Sequence, residues 1–127
     1  MAKSKAVETE PSYVCSIELN SLVWDIHIQP QEVFKKQLQE EGVAWLGATL
    51  KDRDQIWLWD GIRTPERLRR TIMHELAHAV IESFGFNQWN AFSEETLADF
   101  IESYGAMIAD LTDIVIDQIK EHKKKAA

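Results

Sequence analysis

The stretch Arg69–Val80, RRTIMHELAHAV, decides how the rest of this chain is interpreted. It contains no helix breaker, and its apolar residues recur at helical spacing. On a helix, His74 and His78 leave the same face one turn apart. Two imidazoles in that position can bind one zinc ion. Glu75 is turned by about 100° from His74, which puts its carboxylate beside the metal, where it can accept a proton from a bound water.

The pentapeptide His74–His78 is short enough to arise by chance, and its alternative is an ordinary amphipathic helix with two solvated histidines. Its surroundings favour the metal interpretation. Thr64 is a good N-cap, Pro65 suits the first turn, and Gly85 is a typical stop. The pattern therefore predicts a helix over 65–84, with the histidine pair in its rigid middle.

Composition restricts the class of protein. The chain has 127 residues, 45% of them hydrophobic and 28% charged, which fits one domain with a modest core. The formal net charge of −7 argues against nucleic acid as a partner. No apolar run is long enough to span a membrane, and residues 1–11 lack a signal-peptide core, so no membrane partner is expected.

Cys15 is the one cysteine of the chain, which excludes an internal disulfide and a cysteine-rich zinc site. A single cysteine fits a reducing compartment, and we expect a cytoplasmic protein. Because Cys15 lies in an apolar, strand-like stretch, we interpret it as buried filler and not as a nucleophile.

Alternation predicts most of the strands. Residues 13–19 place Tyr13, Cys15, Ile17 and Leu19 on one face, and residues 22–28 follow after a turn, so the two form a hairpin. His27 falls on the polar side of the second strand and is expected at the surface. After a helix over 31–41, strands are expected at 43–50 and 55–60. The last has two apolar faces, which indicates cover on both sides or a groove; as an edge strand it could pair with a substrate.

Ser93 is expected to cap a last long helix that carries one apolar stripe for over six turns. The predicted fold is α+β: a three- to four-stranded, mainly antiparallel sheet packed against the histidine helix and the long C-terminal helix. The predicted organisation is a disordered segment 1–11, one domain over 12–120 and a frayed basic tail 121–127.

A hydrolytic zinc site needs a third protein ligand. The candidates are Glu94, Glu95, Asp99, His27 and His122. Glu95 is favoured because it begins the helix that must pack on the histidine helix, whereas the alternative for both glutamates is capping of the helix dipole. Asp99, one turn further on, could orient a ligating histidine through a hydrogen bond.

The pair of segments HELAH (His74–His78) and ETLAD (Glu95–Asp99) resembles the gluzincin pattern of thermolysin-like metallopeptidases. The short gap and small size are more similar to the ImmA/IrrE-type peptidases and to compact zincin-like proteins of phages and mobile elements. The resemblance covers about residues 43–110. It departs from the ImmA type in having Asp99 where Asn is usual and in lacking a helix-turn-helix region.

The resemblance implies a zincin-like domain in which His74, His78 and Glu95 bind Zn²⁺, Glu75 is the general base and Asp99 supports a ligand. The expected function is zinc-dependent hydrolysis of peptide bonds in a peptide or protein substrate. The alternative is a catalytically silent zincin-fold protein with a binding or structural role in a phage or mobile element.

Overall fold

The computed structural model of the chain describes residues 10–38, 45–85 and 93–126. Of the segment 1–11, which was predicted to be disordered, Glu10 and Pro11 are described. They form a turn in which Tyr13 N donates to Glu10 O at 3.0 Å, leading directly into the first strand.

The predicted N-terminal hairpin is confirmed. Strand β1 (Tyr13–Leu19) pairs antiparallel with β2 (Leu22–Gln29). The two residues between them, Asn20 and Ser21, have φ of 50° and 68°. Positive φ at both positions is the geometry of the two-residue turn whose twist matches that of the paired strands.

A bulge near the start of β1 changes the predicted face of Tyr13. Tyr13 pairs with His27, but Cys15 pairs with Ile26, so the register shifts between them. An extra residue in one strand reverses the alternation of side chains beyond it. The prediction that Tyr13 shares a face with Cys15 is therefore wrong: Tyr13 lies on the His27 side of the sheet, where the two rings meet edge to face at 5.8 Å.

The sheet has four strands in the order β1-β2-β4-β3, with helix α1 (Gln31–Leu38) after β2, then β3 (Gly47–Leu50) and β4 (Gln55–Trp59). The β1–β2 and β3–β4 pairs are antiparallel and the β2–β4 pair is parallel, so this α+β fold has a mixed sheet. Strand β4 lies inside the sheet. Within the described part of the chain β3 is the edge strand, so the idea that residues 55–60 form an edge for a substrate is wrong.

Helix α2 (Pro65–Ser83) agrees with its sequence signals. Thr64 Oγ1 accepts a hydrogen bond from Arg67 N at 3.2 Å, and Gly85 follows the helix with φ of 81°. Helix α3 (Glu94–Ala126) begins after Ser93, whose Oγ accepts from Thr96 N at 3.1 Å. It continues through the basic residues to Ala126, whereas the sequence was interpreted as fraying from residue 121.

The sheet separates two apolar clusters, and β4 contributes to both. Ile56 and Leu58 pack with Ile72 and Leu76 of α2 and with the stripe of α3. On the opposite face the cluster consists of Phe34, Ala48, Leu50 and Trp57. The expectation that β4 is covered on both sides is confirmed, and Trp57 is core.

Helices α2 and α3 pack antiparallel. The ring of Phe84, at the end of α2, lies 4.9 Å from that of Tyr104, and Arg69, near its start, forms an ion pair with Asp113. None of the described helices is long and apolar enough to cross a membrane.

Candidate active site

The two histidines of α2 converge on one point at the protein surface. Both side chains are exposed, and their Nε2 atoms are 3.2 Å apart. Two nitrogens bound tetrahedrally to zinc at 2.0–2.1 Å would be separated by about 3.3 Å. The pair therefore has the spacing of two zinc ligands, which is also the spacing of one N–H···N hydrogen bond.

Glu75 is held in the seam between α2 and β3. Its side chain is only 6% exposed, and Thr49 Oγ1 donates to its Oε1 at 2.8 Å. The same hydroxyl lies 3.2 Å from the backbone carbonyl of Glu75. A buried carboxylate with a fixed donor keeps one orientation, so Glu75 is presented at the histidine pair in a defined position.

Gly47 allows this close approach of strand and helix. A Cβ atom at residue 47 would lie 3.0 Å from Thr71 Cγ2, 3.1 Å from Glu75 Cγ and 3.1 Å from the carbonyl of Trp57. A side chain at this position would require these neighbours to shift by a few tenths of an ångström. Without one, the edge strand can run directly beside the carboxylate.

A groove follows the seam between β3 and α2. One part, with a volume of about 490 Å³, is lined by Trp45, Gly47, Arg70, His74 and Glu75 among others. A second part, of about 360 Å³, shares Trp45, Gly47 and the first two residues of the motif and extends to Lys51 and His78. His74 and Glu75 thus lie where the two parts meet.

The backbone of β3 is available along this groove. Trp59 N donates to Leu46 O at 2.9 Å, and pairing alternates along an antiparallel ladder, so Gly47 and Thr49 turn their N–H and C=O groups away from β4. The side chain of Gln31 binds both backbone groups of Trp45, with Trp45 N donating to Oε1 at 3.1 Å and Nε2 donating to the carbonyl. Gln31 thus occupies the outer edge at Trp45, and over Gly47–Leu50 no other described strand pairs with this edge.

The predicted third ligand, Glu95, does not lie close to the two histidines. Residues 10–38, 45–85 and 93–126 contain no group of three or more His, Cys, Asp or Glu side chains placed to hold a metal ion. Glu95 and Asp99 are exposed in the first turns of α3, and Tyr104 is level with the end of α2. Glu95 lies nine residues before Tyr104 and His78 six before Phe84, so the two are about 22 Å apart along the helix axes, and the role of Glu95 stays a prediction, as does that of Asp99.

The other candidate ligands lie elsewhere. His27 is on the sheet face that packs against α1, opposite to α2, and His122 is on the far part of α3 beside Glu10 and Tyr13. The expectation of a surface position for His27 is wrong, because its side chain is 1% exposed. Ser12 Oγ lies 2.9 Å from its Nδ1. Burial lowers the pKa of His27, against the opposing charges of Glu10 and Asp25.

Cys15 is half-buried against the core, not fully buried as the sequence predicts, and its thiol agrees with the interpretation that it is not a nucleophile. Burial, together with the nearby negative charge of Asp25, raises the pKa of its thiol to about 11. A thiol with that pKa is almost entirely protonated near neutral pH and is a poor nucleophile.

Sequence reasoning did not identify Thr49, Gly47, Trp45 or the arginines of α2 as parts of the site. Alternation along residues 43–50 did place Trp45, Gly47 and Thr49 on one face. The sequence pattern does not predict that this face contacts α2, because that contact joins residues far apart in sequence.

Comparison of the chain with protein-family models, with curated proteins and with solved structures gives no match.

Proposed function

We propose that this chain is a zinc-dependent peptidase of the cytoplasm, in which His74 and His78 bind the metal and Glu75 is the general base. The observation that carries the proposal is the juxtaposition of a convergent histidine pair with a buried, hydrogen-bonded glutamate beside an open edge strand. The single cysteine supports a reducing compartment.

The donor set fits zinc. Imidazole nitrogens are typical zinc ligands, and the exposed position of both rings leaves room for further ligands and for substrate. Glu95 is proposed as the third protein ligand from its place in the sequence alone; to bind zinc together with the histidines, the start of α3 would have to approach them, because the two lie far apart along the helix axes. Bound zinc would supply a polarised water and a Lewis acid for the scissile carbonyl.

The roles of the chain's own residues follow from their contacts. The hydrogen bond from Thr49 engages Oε1 of Glu75 and leaves Oε2 to accept the proton of the attacking water and deliver it to the leaving amine. The outward backbone groups of Gly47 and Thr49 can pair with an extended peptide and hold its scissile bond beside the motif.

Turnover of a fluorogenic peptide library by the zinc-loaded chain tests the reaction. We expect Glu75→Gln to bind about one zinc per chain by elemental analysis but to cleave at least about 100-fold more slowly, because it cannot accept the proton. Glu66→Gln, which changes an exposed glutamate of the same helix, is the matched control and should cleave as wild type does. Zinc binding without Glu75-dependent cleavage of any peptide would reject the peptidase and leave the catalytically silent binding protein.

Metal content tests the ligands separately. His78→Ala should abolish stoichiometric zinc, because a single histidine binds zinc weakly. Glu95→Gln should weaken zinc binding at least about tenfold relative to Glu94→Gln, its neighbour in the same exposed turn. Equal affinities of the two glutamate variants would remove Glu95 from the ligand set.

A further inference from the structure

One end of the groove carries two arginines on the helix face that bears the histidines. Arg67, Arg70, His74 and His78 follow at intervals of three, four and four residues, so they share one side of α2. Arg70 lies about 6 Å and Arg67 about 10 Å along the axis from His74. Both line the same part of the groove as Trp45 and Glu75.

Among the residues that the structure describes, these two positive charges have no acidic partner. Within the described residues neither Arg67 nor Arg70 forms an ion pair, whereas Arg69 of the same helix pairs with Asp113. At the opposite end of the groove Lys51 lies 3.7 Å from Glu82. Among the described lining residues of the arginine end, Glu75 is the one acid, and its carboxylate is engaged by Thr49.

The charge is also local. The whole chain carries 21 acidic and 14 basic residues and is negative overall. The two arginines, unpaired among the described residues, therefore form a local positive patch in the groove of a negatively charged protein. Arginine presents a planar fork of donors that matches a carboxylate. An extended peptide rises about 3.3 Å per residue, so a group that reaches Arg67 and Arg70 from the histidine pair is two or three residues away.

We propose that Arg67 and Arg70 select the substrate by binding one of its carboxylates two or three residues from the scissile bond. This inference rests on the proposed function, because it takes the bound peptide to be a substrate. Carboxylate binding itself can be measured without cleavage. The carboxylate can come from an acidic side chain or from the free C-terminus of a short peptide.

Peptide binding to the Glu75→Gln chain, loaded with zinc and followed by fluorescence polarisation, tests the inference. Three degenerate pools of nine-residue peptides are compared. The first has Glu at one fixed position and an amidated C-terminus, the second has Gln at that position and an amidated C-terminus, and the third has Gln there and a free C-terminus. We expect the Glu pool, the free C-terminus pool or both to bind about tenfold more tightly than the amidated Gln pool, and the preference to weaken with salt. Whichever pool gains identifies the source of the carboxylate.

Arg67→Gln with Arg70→Gln, in the same background, should reduce that preference to less than about twofold. Arg69→Gln removes the same charge from the same helix outside the groove and should retain it. The circular dichroism spectra of the double variant and of Arg69→Gln should be the same, since all three arginines lie at the surface. A preference that survives the double substitution, or no preference in the parent chain, would overturn the inference.

The two proposals fail differently. If peptides with a carboxylate bind in an arginine-dependent way but the unsubstituted chain cleaves nothing, carboxylate recognition stands and the peptidase is rejected. If cleavage depends on Glu75 but the ratio of kcat/KM for Glu and Gln peptides is unchanged by the double substitution, the peptidase stands and the arginines do not select its substrate.

Discussion

Thr49 is the side chain on which the orientation of Glu75 depends. It donates to the carboxylate of Glu75, a residue that is 6% exposed, and replacing it with valine keeps its shape but removes the donor. An unsatisfied buried acceptor costs about 1–3 kcal/mol. We expect Thr49→Val to lower the free energy of unfolding by that amount in urea titrations.

If Glu75 is the general base, Thr49→Val should also lower kcat more than it changes KM, because a misplaced base affects the reaction more than binding. Thr49→Ser retains the hydroxyl and should restore both stability and kcat to near wild-type values. Equal stability of the valine and serine variants would show that the hydroxyl does not hold the carboxylate.

The residues of the motif could be predicted because they lie within five positions of one helix. Helical periodicity alone brings His74 to His78 and sets Glu75 beside them. The partner Thr49 lies 26 residues away, and its contact with Glu75 depends on the pairing of β3 with β4 and on the packing of that hairpin against α2. Local patterns carry no information about such a contact.

At the scale of elements, two glycines allow opposite predictions. Gly47 lies where β3 meets α2, and an added Cβ would be within 3.1 Å of atoms in three different residues. Forcing an extra group into such a contact typically costs about 1–3 kcal/mol. We expect Gly47→Ala to destabilise the chain by that amount in urea titrations and to reduce any Glu75-dependent turnover, since Glu75 Cγ is one of the atoms displaced.

Gly105, in the middle of α3, is the matched control. An added Cβ there would contact only Ile101 of its own helix, at 3.4 Å. Because alanine is favoured over glycine in a helix by about 1 kcal/mol, Gly105→Ala should stabilise the chain. Destabilisation at both positions would contradict the packing described for each.

The elements that could be predicted are those with local signals at their ends. Thr64, Pro65 and Gly85 delimit α2, and Asn20-Ser21 marks the hairpin. The parallel pairing of β2 with β4 could not be predicted, because it depends on a crossover and not on either strand's own sequence. Helix α3 continues to Ala126 through the lysines that the sequence analysis assigns to a tail, because lysine is a good helix former and its charge suits a helix C-terminus.

At the scale of the molecule, the sheet is covered on both faces, and this burial explains the wrong prediction for His27. Its strand alternates apolar and polar residues, which is typical of a sheet with one solvated face. Here Ser12 and the ring of Tyr13 lie against His27, and Asp25 and His27 are both buried. Ser16 Oγ donates to Asp25 Oδ1 at 2.6 Å, which provides the buried carboxylate with a donor. A polar pair is thus enclosed on the side of the sheet away from the candidate active site.

The buried imidazole should make the stability of the whole chain depend on pH. Burial lowers the pKa of His27 in the folded state, although the charges of Glu10 and Asp25 oppose this, whereas the unfolded chain has an ordinary pKa of about 6.5. Above pH 6.5 both states are neutral at this residue, and the folded state keeps its full stability. Below pH 6.5 the unfolded chain binds a proton at His27 more readily than the folded chain does. The free energy of unfolding therefore falls as the pH falls towards the folded pKa, by up to about 1.4 kcal/mol per pH unit.

We expect urea titrations of wild type between pH 7.5 and 5 to show this loss of stability and those of His27→Gln to show a smaller loss, whatever the absolute stability of the variant. Parallel curves for the two proteins would show that His27 titrates alike in the folded and unfolded chains.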